Sequence, residues 1–310
     1  MKVYESVKSF NSSQPTAVTI GTFDGVHIGH RAILEQLVRT AAENQLQSLL
    51  LTFFPHPRMV LQKNSDLKLI NTLAEKKELL EDLGLNNLVI HPFTQEFSRM
   101  TAVEYVRDIL VEGLGAKKVI IGYDHRFGRN RTATINDLRQ FGKTFDFEVE
   151  ELSARQLDDV AVSSTKIRKA LEVGDLKTAN RYLGYPFMLS GTIVRGRAIG
   201  RTIEYPTANL KINETYKLVP ANGVYVVFSE IAGKVVYGIT SIGNNPTVGG
   251  TSRTIETYFL DYSGDLYDKN IRIEFLTRIR GEKVFSDTVR LKEAIANDEA
   301  YARKFISGLG

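Results

Sequence analysis

The stretch Gly21-Thr22-Phe23-Asp24-Gly25-Val26-His27-Ile28-Gly29-His30 joins an apolar strand, Val18 to Ile20, to an amphipathic helix with Ile33, Leu34, Leu37, Val38 and Ala41 on one face. Two imidazoles three residues apart, His27 and His30, therefore stand at a predicted helix start and point the same way. Such a place suits anions. First-turn N–H groups lack intrahelical partners, the helix dipole is positive there, and Gly25 and Gly29 let a phosphate chain approach the backbone. The plain alternative is a pair of helix-start histidines with no chemical task, and the flanking glycines and Asp24 weigh against it.

A second polar run, Ser163-Ser164-Thr165-Lys166-Ile167-Arg168, opens two consecutive short helices. Capping alone needs one hydroxyl, whereas three in a row followed by two bases favour phosphate binding. No Gly-x-x-x-x-Gly-Lys-Ser/Thr loop occurs, so this is not a P-loop protein. Further along, Gly191, Gly196 and Gly200 lie among Arg195, Arg197 and Arg201, ahead of Pro206-Thr207-Ala208-Asn209, Asn244-Asn245-Pro246-Thr247 and Thr254-Ile255-Glu256. Glycines let backbone amides wrap phosphates, and a hydroxyl beside an amide oxygen suits a magnesium ion that keeps several waters. Glu256, inside an apolar β segment, is either a paired structural carboxylate or a general base.

These residues need elements to hold them. From Val18 to about Leu183, apolar strands (Val18–Ile20, Ser48–Phe54, Leu88–Ile90, Lys118–Gly122, Phe145–Leu152) alternate with helices. Thr72 with Glu75, and Thr101 with Glu104, form capping boxes, the second for a helix running to about Glu112. Pro55-His56-Pro57 is held extended or turned by its two prolines, and a short helix is expected near Thr134 to Phe141. The alternation predicts an α/β, Rossmann-like domain: a parallel sheet with helices on both faces and sites at the strand carboxyl ends. The pattern changes near Gly184-Tyr185-Pro186. Short β segments follow (Leu189–Val194, Gly223–Phe228, Val235–Ile239, Ile255–Leu260, Ile271–Leu276), and close spacing with many turns favours a small antiparallel barrel, closed by a helix with Leu291, Ile295, Ala302 and Phe305.

At 310 residues, 43% apolar and 25% charged, the chain has room for two domains. Its net charge of +4 fits anionic small molecules as well as nucleic acid. With no cysteine, disulfides, thiol catalysis and cysteine-bound zinc are excluded. Met1 to Glu5 lacks a targeting pattern and no apolar run approaches the roughly 18 residues of a membrane helix, so a cytoplasmic location is expected.

The His27, Gly29, His30 spacing resembles the signature of the nucleotidyltransferase superfamily, whose members attack the α-phosphate of a nucleoside triphosphate. Gly21 to His30, Phe54-Pro55-His56-Pro57, Gly122 to Gly128 and Ser163 to Arg168 fall in the order seen in bacterial bifunctional riboflavin kinase/FAD synthetases. The chain resembles that family over nearly its whole length. The resemblance implies an FMN adenylyltransferase domain over residues 1–183 and a riboflavin kinase barrel over residues 184–310. In the first, it puts Gly21, Phe23, Asp24, Gly25, His27 and His30 on ATP, and Ser163, Ser164, Thr165 and Arg168 on phosphates. Phe54, Pro55, His56, Pro57, Asp124, Arg126 and Phe127 come near the nucleotide or flavin. In the second, it puts Gly191, Gly196, Gly200 and Arg201 on ATP, Thr207 and Asn209 on magnesium and ATP, and makes Glu256 the base for the ribityl hydroxyl. Four departures stand out: His125 where Phe is usual, Thr132-Ala133-Thr134 without a glycine, Glu204-Tyr205 where Gly-Phe is common, and Tyr185 for a frequent Arg.

The expected ligands are therefore ATP, riboflavin, FMN, FAD and Mg2+, with no nucleic-acid or membrane partner; the oligomeric state is not readable. Two other readings are an adenylyltransferase for another phosphorylated acceptor with a regulatory barrel, and an RNA-binding protein using the Arg195, Arg197, Arg201 cluster. The second lacks the row of aromatics among bases that stacks single strands.

Overall fold

The computed structural model describes residues 1–63, 65–122, 125–152, 162–196, 204–247 and 250–309, with side chains described outside 245–252. Two compact units are present: Met1–Leu69 with Leu73–Ser163, and Ile70–Thr72 with Ser164–Gly310.

The first unit holds β1 (Lys2–Tyr4), β2 (Thr16–Ile20), α1 (Ile28–Glu43), β3 (Gln47–Phe53), α2 (Pro57–Leu61), α3 (Leu73–Glu81) and β4 (Asn87–His91). These are followed by α4 (Ala102–Glu104, continuing as a π-helical stretch over Tyr105–Val111), β5 (Ala116–Gly122), α5 (Ile135–Phe145) and β6 (Glu148–Leu152). Its sheet has six strands in the order β1-β4-β3-β2-β5-β6, and every pairing is parallel. A parallel sheet is covered on both faces, so its strands are apolar throughout rather than alternating. Leu49, Leu50 and Leu51 are all fully buried for this reason. Val18, Ile20, Leu49, Leu51, Val119 and Ile121 pack with Tyr105, Val106, Ile109 and Leu110 of α4, and the alternate residues Ala17, Leu50 and Ile120 point to the opposite face. From β2 the chain builds outward through β3 to β4 on one side, then resumes with β5 on the other. The carboxyl ends of β2 and β5 therefore flank the topological switch point, where open α/β sheets bind ligands.

The second unit begins with α6 (Ser164–Val173) and α7 (Leu176–Leu183), the latter capped by Asp175 and ended by Gly184 at φ 78°. Then come β7 (Phe187–Val194), β8 (Ala208–Lys211), β9 (Gly223–Ile231), β10 (Lys234–Thr247), β11 (Gly250–Phe259), β12 (Asn270–Gly281) and α8 (Thr288–Ser307). The strands close into an antiparallel barrel in the order β10-β11-β8-β7-β12-β9. Closure removes the sheet edges. On β9, Val224 and Val226 pack with Ala302 and Phe305 of α8, while Tyr225 on the other face meets Phe275 at 5.4 Å between ring centroids. The α8 helix is pinned by Asp298, whose carboxylate takes Arg280 Nε at 2.9 Å and Nη2 at 2.7 Å.

The expected architecture, a Rossmann-like parallel domain and an antiparallel barrel with a C-terminal helix, is the one observed. Several local expectations are corrected. Phe145 ends α5 instead of opening β6, because Phe141 and Phe145, one turn apart, pack together at 6.4 Å and Asp146 at φ 58° closes the helix. Pro57 is the first residue of α2, with the His56 ring accepting from Arg58 N at 3.1 Å, since a proline costs nothing at that position. Lys2–Tyr4 pairs as a strand with β4, and the Asn244 to Thr247 stretch belongs to the paired strand β10. The Thr101–Glu104 capping box is present.

Breaking a largely buried charge pair by removing one partner costs about 3 kcal/mol. Asp298→Ala is therefore expected to lower the urea midpoint of the barrel by a corresponding amount, read from the near-ultraviolet circular dichroism of its tyrosines.

Candidate active sites

β2 hands the chain to α1 through a turn that runs largely left-handed: Phe23 has φ 45°, Gly25 φ 91° and Val26 φ 35°. At its head, the Thr22 carbonyl accepts from Thr52 Oγ1 at 3.2 Å and from Lys76 Nζ at 2.7 Å. Gly21 leaves room for the Phe23 ring, which a Cβ would meet at 2.8 Å. The turn ends at His27, the N-cap of α1, whose Nδ1 accepts from His30 N at 3.3 Å. The two imidazoles stack, 3.6 Å between centroids and 15° between planes, and His30 leans on Phe23 at 4.7 Å. Asp24 and His27 are 1% and 5% exposed, and among the described residues His30 Nδ1 is buried without a hydrogen-bond partner.

Burial governs the electrostatics. It pulls the His27 pKa down to about 4, against the opposing charge of Asp24. The His30 pKa lies well below the ordinary value, first through burial and then through His27 and Lys76. Both rings are neutral near pH 7. Because Nδ1 of His27 is an acceptor, its proton sits on Nε2, leaving a donor for a phosphate oxygen beside the α1 amino end.

The same sheet edge carries the other expected residues of this unit. Phe54 N donates to His91 O at 3.1 Å, and Pro55, His56 and Pro57 lead into α2. After β5, His125 is half-buried, Arg126 exposed and Phe127 buried, with the Phe127 ring 5.7 Å from Tyr105 and 6.2 Å from His125. Asp124 lies outside the described residues. Aromatic rings that sequence reasoning passed over gather here: Phe97 sits 5.4 Å from Phe53, 5.6 Å from Phe93 and 6.0 Å from Tyr105.

Ser164 opens α6 in the second unit, with Ser163 just before it. Thr165 and Lys166 are exposed and Arg168 is buried, on a helix held by Ile167 and Leu171.

In the barrel, Asn209 of β8 stands opposite Glu256 of β11. Thr207 Oγ1, just before β8, donates to Glu256 Oε2 at 3.2 Å. Gly196 lies against the Asn209 amide, which a Cβ would strike, and Gly191 lies against the Lys211 carbonyl in the same way. A hydroxyl, an amide oxygen and a carboxylate thus stand together. Such hard oxygen donors are of the kind that suits a divalent cation. Gly200 and Arg201 lie outside the described residues. Glu204, the unusual carboxylate of this segment, pairs with Lys292 of α8 at 2.5 Å, and Tyr185 Oη meets the Asn71 side chain at 3.3 Å.

A family model described as FAD synthetase matches residues 9–166, and one described as riboflavin kinase matches residues 183–306. Proteins named bifunctional riboflavin kinase/FMN adenylyltransferase are similar along almost the whole chain. That of Escherichia coli is 33% identical, covering 98% of both chains. That of Listeria monocytogenes is 34% identical, covering 94% of this chain and 93% of its own. The chain belongs to the bifunctional riboflavin kinase/FMN adenylyltransferase family. A solved structure described as a macrolide-efflux protein from Streptococcus pneumoniae superposes with a TM-score of 0.88 at 30% identity, covering 97% of this chain and 98% of that one. Family membership favours the flavin reading over another phosphorylated acceptor or an RNA-binding barrel.

Lys76 and Thr52, which bond the head of the turn, are not among the residues that the sequence points to. Lys76 was detectable in principle: it interrupts the apolar stripe of Leu73, Leu79 and Leu80 on α3, where a charge has no reason to be unless it is bonded.

The buried, neutral state of His27 has a consequence for stability. An unfolded chain carries a histidine near pKa 6.5 and binds a proton that folded His27 refuses until about pH 4. Stability is therefore lost as pH falls through that window, by about 3 kcal/mol from this residue. Urea midpoints measured from pH 7 to 4 should fall less steeply in His27→Asn, which keeps an N-cap side chain, than in the wild type.

Proposed function

We propose that this chain carries out two consecutive ATP-dependent steps: residues 184–310 phosphorylate riboflavin to FMN, and residues 1–183 adenylylate FMN to FAD. The reading rests on one joint observation. A stacked, neutral histidine pair stands at the switch point of a parallel sheet, and a Thr–Asn–Glu set stands on the outer face of a closed barrel, in one chain of a family that is named for both activities.

In the kinase step, the terminal ribityl hydroxyl attacks the γ-phosphorus of ATP, the bond to the β–γ bridging oxygen breaks, and ADP leaves. Glu256 accepts the hydroxyl proton, and its bond from Thr207 orients the carboxylate before substrate arrives. Thr207 and Asn209 would hold Mg2+, which supplies charge neutralisation at the phosphates when bound. By resemblance, Gly191, Gly196, Gly200 and Arg201 contact the phosphates of ATP.

In the adenylylation step, a phosphate oxygen of FMN attacks the α-phosphorus of ATP in line and pyrophosphate leaves. No protein nucleophile is needed, so position and preorganised donors carry the rate. His27 Nε2–H, His30 and the α1 N–H groups face the triphosphate, with Gly21, Phe23, Asp24 and Gly25 shaping the approach. By resemblance, Ser163, Ser164, Thr165 and Arg168 are assigned phosphate contacts. The Phe54–Pro57 segment, Asp124, Arg126 and the rings around Phe127 serve the nucleotide and flavin. The substrates are small molecules, no nucleic acid is required, and a cytoplasmic location is inferred. No helix among the described residues is long and apolar enough to cross a membrane.

A chromatographic time course with riboflavin, ATP and magnesium is expected to show FMN rising and giving way to FAD; no flavin conversion, with riboflavin or FMN supplied, would sink this reading. His27→Ala should cut FAD formation from FMN about 100-fold or more while riboflavin phosphorylation stays near normal. Glu256→Gln should do the reverse, with a kinase loss on the order of 100-fold or more. Near-normal kinase turnover in Glu256→Gln would make that residue structural.

A further inference from the structure

Lys76 sits on the buried side of α3, 5% exposed, and burying an ammonium group carries a penalty of several kcal/mol. Its Nζ donates to the Thr22 carbonyl at 2.7 Å, the same oxygen that Thr52 Oγ1 reaches at 3.2 Å. Two donors from two separate elements, β3 and α3, thus converge on one backbone oxygen. That oxygen heads a turn in which Phe23 and Val26, both bearing side chains, hold positive φ. Non-glycine residues there cost about 1–3 kcal/mol each and persist only when surrounding structure holds them.

We propose that Lys76 is a positioning residue for adenylylation: its bond to the Thr22 carbonyl, shared with Thr52, locks the left-handed turn that sets the His27 and His30 rings at the start of α1. The inference rests on the assignment of adenylylation to this unit. Lys76 acts through the turn and not on the reacting atoms. It also acts through charge. The titratable groups facing His30 are His27, stacked upon it, and Lys76 from α3; Asp24 in the turn acts in turn on His27 and Lys76. The ammonium disfavours an imidazolium at His30, so removing it lets His30 take a proton at higher pH, and an arginine restores the opposition.

The test uses the full-length chain carrying Lys76→Met, Lys76→Arg or Thr52→Val. The kcat and KM of FAD formation from FMN and ATP are measured against pH, and riboflavin phosphorylation in the same samples reports that the protein is intact. Lys76→Met is expected to lower kcat for FAD about 100-fold, as a misplacement near 1 Å does, and to move the acidic limb of its pH profile upward. Lys76→Arg returns the limb to its wild-type position. Thr52→Val removes a donor but no charge, so it lowers kcat about tenfold, the rate equivalent of one hydrogen bond, and leaves the limb in place. Wild-type kcat in Lys76→Met, or a limb that stays where it was in that variant, overturns the proposal. Should Lys76→Met also lose riboflavin phosphorylation, Thr52→Val decides: a full kcat overturns the shared clamp and a tenfold loss supports it. A wild-type chain that forms no FAD from FMN overturns the assignment of the unit. Wild-type FAD formation alongside unimpaired variants overturns only the role of Lys76.

Discussion

One backbone oxygen, the carbonyl of Thr22, holds the reversal that carries the chain from β2 into α1. The turn it heads is costly, because Phe23 and Val26 adopt a backbone that favours glycine, and it is bonded from two directions by Thr52 and Lys76. Everything chemically distinctive about the first unit follows from that hold. His27 becomes the N-cap, His30 stacks on it, and Asp24 is drawn inside with them. His27 is buried and His30 partly so, and both remain neutral where fully exposed rings would begin to titrate. A neutral ring with its Nδ1 engaged presents one defined donor, and a defined donor next to a helix amino end is a preorganised anion site.

The barrel solves a different problem. Its residues must bring a hydroxyl, an amide and a carboxylate together on short strands, and a closed antiparallel sheet does this by register alone. Asn209 and Glu256 are direct neighbours across β8 and β11, and Thr207 stands one step outside the pairing, close enough to hydrogen-bond the same carboxylate. The cost of tight closure appears at Gly191 and Gly196, where another strand or side chain occupies the volume of a Cβ. The interior is filled by Tyr225, Phe187 and Phe275, and the outer face of β9 is covered by α8, so both faces of one strand are buried and its apolar run is continuous.

Much of this was legible from residue order. The strand–turn–helix around Gly21 to His30 could be read because its apolar residues switch from a continuous run to helical spacing across two glycines. The Thr101–Glu104 box announced a helix start through side-chain chemistry that acts within three residues. The barrel was legible from alternation at Ile271, Ile273 and Phe275. Where reading failed, competing local signals were close in strength. Phe145 fits a strand as well as a helix until Phe141 is seen to pack against it, and Pro57 punctuates a loop as readily as it begins a helix. Lys76 shows in the sequence only as a charge in the apolar stripe of Leu73, Leu79 and Leu80; which carbonyl it bonds depends on a turn 54 residues away and not on its own helix.

The sequence alone determined the class of each half, the order of the stretches expected to bind phosphate and the family they resemble, because periodicity, caps and glycine placement act over a few residues. Tertiary structure alone decided which groups meet. The Thr22 carbonyl is joined to Thr52 and Lys76 across 30 and 54 residues of chain, and Thr207 to Glu256 across 49. The neutrality of His27 and His30 was likewise invisible beforehand, because desolvation is a property of everything packed around a ring and not of the residues beside it in the chain.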